Sequence, residues 1–188
     1  MSQMSSASAR TNTAVCLGLL ISVGGALTAT YSCITPFAAF AVIAAATLSG
    51  RSAVVVMVGL WLVNQAVGFG VLHYPWTNGT FAWGLAIGGA AVIGTLAAQS
   101  TIRWLSSRGT TVSLLVAFAF AFASYELILY GAAASFLGGR DAFSAAIIVE
   151  VLLVNTAALV GLVGLNQLAT VIIRGVRRHA HTSRADFA

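Results

Sequence analysis

Six runs of apolar residues, separated by short polar breaks, occupy most of the chain: approximately 13–34, 37–49, 52–72, 80–102, 111–136 and 142–173. A helix needs about 20 residues to cross a bilayer, and five of the runs supply them. The second run is short and begins sharply at Pro36, whose ring fixes φ and removes a backbone donor. A tilted, broken or partly re-entrant helix is expected there. The pattern predicts an all-α polytopic membrane protein with six transmembrane helices, the second of them short. Residues 1–12 (MSQMSSASARTN) are small and polar and are expected to be disordered; 13–173 form the membrane domain, and 174–188 an Arg-rich tail.

Composition agrees with the pattern. Of the 188 residues 59% are hydrophobic and 7% charged, against roughly 25% charged in soluble domains. The net charge of +5 would suggest nucleic acid in a soluble protein, but here every cation is an arginine outside the apolar runs. Such a distribution reports membrane orientation. With the N-terminus inside, Arg10, Arg51, Arg103, Arg108, Arg174, Arg177, Arg178 and Arg184 are cytoplasmic and Arg140 alone is outside. That bias predicts an N-in, C-in multi-pass protein of a bacterial inner membrane, with no nucleic-acid partner. Arg10 before an apolar run is also how a signal peptide starts, but this run reaches Tyr31 with no small-x-small cleavage site.

Several chemistries lack their residues. Cys16 and Cys33 have no CxxC spacing and form neither a disulfide framework nor a zinc site. Neither GxxxxGK[ST] nor HExxH occurs, and no Ser–His pair lies within the spans to make a nucleophile. No enzyme activity is expected, and any transport is passive, ion-coupled or energised by another chain.

The polar residues inside the spans converge on one depth. At about 1.5 Å per residue, Asn64, Gln65, Glu126 and Glu150 fall in the outer half of the bilayer, with Asn155 nearer the middle. Above them the segment from Asn64 to Trp83 (NQAVGFGVLHYPWTNGTFAW) leaves the membrane through His73, Tyr74 and Trp76. Tyr31, Trp83, Tyr125 and Tyr130 lie at similar height. A charge at the bilayer centre costs roughly 2.5–3.5 kcal/mol on insertion scales, so two glutamates without an intramembrane cation require water, a pocket or protonation. The residues Asn64, Gln65, His73, Tyr74, Trp76, Trp83, Tyr125, Glu126 and Glu150 are therefore read as the lining of a cavity open to the outside. The plainer alternatives are an interfacial belt for Trp76, Trp83 and Tyr31, helix–helix bonds for Asn64 and Gln65, and an ion pair of one glutamate with Arg140. Asn78-Gly79-Thr80 matches a glycosylation sequon, but Asn-Gly is first a tight-turn signal.

Small residues recur every four positions on the first span, at Ala14, Gly18, Ser22, Ala26 and Thr30. Such a stripe lets a partner helix approach closely. The shorter pair Gly84 and Gly88 is assigned to packing within the bundle.

Six helices with both termini inside, the small stripe and the outward-facing pocket resemble the S-components of energy-coupling-factor (ECF) transporters. That resemblance implies a membrane-embedded vitamin or metal-ion binder, docked through Ala14, Gly18, Ser22 and Ala26 onto a coupling subunit driven by paired ATPases. Within the family the Asn64–Trp83 stretch looks most like the solitary cobalamin-specific S-components. The transported ligand would then be cobalamin, with no cofactor of the protein's own. Members can place an axial cysteine ligand to cobalt at the outer end of the third helix. Here His73 stands in that region, and imidazole suits cobalt; Cys33 is the fallback ligand. The alternatives are an S-component for another vitamin, a nickel or cobalt permease, for which intramembrane His and Asp ligands are too few, and a non-catalytic membrane assembly protein, which would leave the outer polar cluster unexplained.

Overall fold

A computed structural model describes residues 35–185, with side chains described up to Gln167. The expected first span, with Cys16, Cys33 and the stripe from Ala14 to Thr30, lies outside these residues. The described chain is α-helical: α1 (Phe37–Thr47), α2 (Gly50–Gly70), α3 (Asn78–Trp104), α4 (Thr110–Ala132) and α5 (Ala145–Ala185). A π-helical turn (Ala133–Leu137) extends α4, and a 3-10 turn (Arg140–Phe143) precedes α5. Four segments, Gly50–Gly70, Asn78–Trp104, Thr110–Leu137 and Ala145–Gln167, are long and apolar enough to cross a membrane.

The long helices run antiparallel in sequence order. The start of α2 meets the end of α3, where the Gln99 amide nitrogen donates to the Gly50 carbonyl at 3.0 Å. Gly94 of α3 packs on the backbone of Ala121 in α4, with 3.2 Å between the Ala121 carbonyl oxygen and the point where a Cβ would lie. Arg51, Arg103 and Arg108 therefore gather at one end of the bundle, and Arg140 lies at the other with His73 and Trp76. We call these the arginine end and the aromatic end. At the second turn Gly138 (φ 74°) and Gly139 (φ 83°) supply left-handed backbone that a Cβ would disfavour.

The short second segment is the core of the molecule. With 11 residues α1 spans about 16 Å at 1.5 Å per residue, half a bilayer. It touches all four long helices, and every residue from Phe37 to Ala44 is buried. A helix apolar all round can only be satisfied inside other protein. Such a helix starting within the bundle exposes its first N–H groups to a dry interior. Pro36, at the N-cap, has no side-chain oxygen to accept them. Asn155 of α5 does so instead: its Oδ1 accepts from the amides of Ala38 (3.1 Å) and Ala39 (3.3 Å), the two positions a local cap would serve. Its Nδ2 donates back to the Val151 carbonyl at 2.9 Å.

The expected sixth segment, 142–173, is part of a helix that continues to Ala185, so residues 174–185 of the Arg-rich stretch are helical. Asn78-Gly79 opens α3 rather than forming a tight turn. Thr77 is the N-cap, its hydroxyl accepting from the Thr80 amide at 3.3 Å.

Candidate functional site

Between α2 and α3, glycine receives large side chains from the facing helix. The Trp61 indole lies over Gly88, 2.7 Å from where a Cβ would be, and its N–H donates to the Gly84 carbonyl at 2.7 Å. One turn nearer the aromatic end, Oε1 of Gln65 rests against Gly84. Gly84 and Gly88 thus perform the internal packing expected of them, one as the seat of a tryptophan and the other as the floor of a polar site.

Above Gly84 the packing opens into a cavity of about 120 Å³, partly open to the outside. Its described lining is Thr35, Phe37, Asn64, Gln65, Tyr74, Thr80, Trp83, Gly84, Ile87 and Tyr125. The polar groups form a directed chain. Gln65 Nε2 donates to Asn64 Oδ1 (3.0 Å), and Asn64 Nδ2 donates to the Thr35 hydroxyl (2.8 Å). Asn64 and Gln65 therefore do both things considered for them: they tie α2 to the chain entering α1, and they line a cavity. Opposite them, Tyr125 packs against Phe37 with ring centroids 6.0 Å apart, and its hydroxyl has no hydrogen bond among the described residues. No charged side chain is in the described lining.

The mouth is a knot of aromatics. Phe69 stacks on Phe81 (4.9 Å) and meets Trp76 (5.2 Å) and Tyr74 (6.4 Å). Tyr74 belongs both to this knot and to the cavity wall. Its ring covers Gly68, within 2.8 Å of where a Cβ would stand, and its amide donates to the Gly68 carbonyl at 3.0 Å. The reversal that tucks it there puts His73 at φ 53°, the one positive φ at a non-glycine among the described residues. For an L-residue that backbone costs roughly 1–2 kcal/mol, held by the packing of its neighbour.

Of the residues expected at the site, Asn64, Gln65, Tyr74, Trp83 and Tyr125 meet in one cavity; the other four do not line it. His73 is exposed in the loop above. Trp76 is 75% exposed, as an interfacial tryptophan would be. Glu126 is half-buried on α4 beside Tyr125, and Glu150 is exposed on α5; shared depth did not mean a shared face. Neither glutamate is paired with Arg140, whose guanidinium donates to the Ala134 carbonyl at 2.7 Å. Among the described residues no group of three or more His, Cys, Asp or Glu could hold a metal ion.

The reading from sequence missed Thr35, Phe37, Thr80 and Ile87, and the role of Trp61. One signal pointed to the first two. A proline before a half-length apolar run means a chain break inside the bundle, and such a break needs polar company. Comparison with protein-family models, curated proteins and solved structures finds no match for this chain.

Proposed function

We propose that the protein is the substrate-binding subunit of a membrane transporter in a bacterial inner membrane, taking a small neutral solute into the bundle from the aromatic, extracytoplasmic end. The observation that carries this reading is the cavity itself. Ordinary membrane packing fills the space between helices; here a space between them is lined by two amides, two threonines, two tyrosines and a tryptophan. A polar lining inside a membrane bundle is costly unless it is hydrogen-bonded, so its retention points to use. The absence of charge in the described lining argues for a neutral solute, because an ion would lose its hydration with no countercharge to replace it.

Size narrows the solute. A cavity of about 150 Å³ takes benzene, so about 120 Å³ suits a single ring. A corrinoid is many times larger and would insert only an amide arm, with its macrocycle lying across the mouth. That second reading is kept because His73 is exposed at this mouth, where an axial ligand to cobalt would have to stand. Docking onto an ECF coupling subunit through Ala14, Gly18, Ser22 and Ala26 belongs to the same proposal, as does the absence of catalytic activity.

Native mass spectrometry of the full chain in lipid nanodiscs tests the main reading. A small solute released from the wild type should be missing from Ile87→Trp, which fills the cavity. Identical solute content in both would sink it. For the second reading, corrinoid-loaded protein should shift its visible spectrum in His73→Ala; an unchanged spectrum removes the ligand role. Proteoliposome uptake with and without an ATP-driven module then separates a solitary carrier from a subunit.

A further inference from the structure

We propose that Tyr74 is the gate of the cavity, and that Gly68 and His73 set how often it stands open; this rests on the reading of the cavity as a substrate site, which gives a gate its use. Of the ten residues in the described lining, eight stand on helices and two do not, Thr35 and Tyr74. Thr35 is held by the Asn64 amide and is followed by the fully buried Pro36. Tyr74 sits in the loop between α2 and α3 and is 36% exposed, so it stands between the cavity and the outside. Sequence leaves that loop one hinge. Pro75 has a fixed φ, and a residue before proline is confined to extended backbone, so Tyr74 and Pro75 move as a unit. Beyond them Trp76 is packed on Phe69 and Phe81. Before them the amides of Val71 and Leu72 both bond the Val67 carbonyl at 2.9 Å and close α2. Rotation is left to His73.

Two opposed effects meet at that hinge. With His73 at φ 53°, the Tyr74 amide reaches the Gly68 carbonyl at 3.0 Å and the ring settles on Gly68. A Cβ there would lie 2.7 Å from the ring's Cδ2, so the ring comes down only because Gly68 has no side chain. Left-handed backbone at His73 pushes the other way. A non-glycine residue relaxes by returning to negative φ, and that return carries Tyr74 off Gly68. One neutral hydrogen bond and one left-handed residue are of similar size. Closed and open arrangements are therefore close in energy, which is what a two-state element needs if a small solute is to bias it.

The test uses the full-length protein in nanodiscs with Cys16→Ser, Cys33→Ser and Ile87→Cys, which leaves one thiol, on the cavity wall below Gly84. Its modification by methyl methanethiosulfonate, a small neutral reagent, is followed by intact mass. When opening is fast against modification, the rate tracks the open fraction. On this background Gly68→Ala should raise the rate at least fivefold, because the ring can no longer settle; alanine itself suits the helix better than glycine. His73→Gly removes the cost of left-handed backbone and should lower the rate about fivefold. General loosening of the loop would not give opposite signs. With Tyr74→Ala added, both variants should label at one common, fast rate. Equal rates in the parent and Gly68→Ala, or a rate in His73→Gly at or above the parent's, would overturn the gate. His73 is exposed, so its variant decides the matter even if Gly68→Ala does not fold. The rates are read without solute: rates that move as stated in a protein releasing no solute would uphold the gate and remove the substrate reading.

Discussion

Helix α1 and the membrane-spanning part of α5 are both mainly aliphatic or aromatic, α1 from Ala, Phe, Val and Ile and α5 from Ala, Val, Leu and Ile, and the molecule treats them oppositely. Residues Phe37–Ala44 of α1 are all buried, while α5 presents Val149, Leu153 and Val160 at 54%, 64% and 68% exposure. Apolar character cannot distinguish the two, because in a membrane the exterior is as apolar as the interior. The difference lies in where the polar atoms are. Helix α1 begins inside the bundle and has backbone donors to satisfy, so it must be enclosed by something that carries an acceptor. Helix α5 contributes that acceptor, Asn155, and buries beside it Leu159 and Leu162. Among the described residues it meets the bundle mainly along α1. Among the described residues one helix is held on every side, and the other along a stripe centred on one amide.

The contrast is broken most severely at the centre. Phe40 is 0% exposed, in a position lipid cannot reach. Phe40→Ala should cost about 3–5 kcal/mol through the void it leaves, read as a lowered unfolding temperature of the detergent-solubilised protein. Next comes the tie between the two helices. Asn155→Leu keeps the bulk but orphans the amides of Ala38 and Ala39. A loss of about 2 kcal/mol is expected, at the upper end for a helix cap because both donors are buried. Asn155→Asp, which restores the acceptor oxygen, should recover part of that loss. If Asn155→Leu is neutral, the cap is geometric only and α1 is held by packing alone.

Much of this arrangement could be read from the residues, and the remainder has physical reasons for being hidden. The long spans follow from length and hydropathy, and the shortness of the second from Pro36 and the break before Arg51. That Asn64 and Gln65 share a cavity with Tyr74, Trp83 and Tyr125 followed from counting depth along antiparallel helices. Depth is only one coordinate, however. At 100° per residue Glu126 stands a quarter-turn and more from Tyr125, and Glu150 looks outward, so neither joined the residues at its own height. The absence of charge from the described lining was concealed for that reason. Asn155 was visible as a polar intrusion, but its partner is a pair of backbone amides, and backbone donors leave no trace in a sequence. The glycines show the same limit. Spacing marked Gly84 and Gly88 as a pair, yet only the facing helix decides that one receives Trp61 and the other Gln65.

Two smaller effects are expected, at Gly88 and at Leu153. Gly88→Ala places a methyl within 3.0 Å of three atoms of the Trp61 indole, so the ring must shift and its N–H leaves the Gly84 carbonyl. A cost of about 1–2 kcal/mol is expected for this overpacking, with a change in tryptophan emission as the local readout. The smallest effect is expected on the outer side of α5. Leu153 is 64% exposed, one turn from Val149 and about two from Val160, on the side turned away from Leu159. If that side faces lipid, Leu153→Ala exchanges leucine–lipid contact for alanine–lipid contact. Acyl chains then close over the missing carbons, and stability should change by less than about 0.5 kcal/mol. A loss comparable to that of Phe40→Ala, seen in membranes and abolished in detergent, would mean that another helix covers α5. In that case the two helices would differ in which helix encloses them, rather than in being enclosed at all.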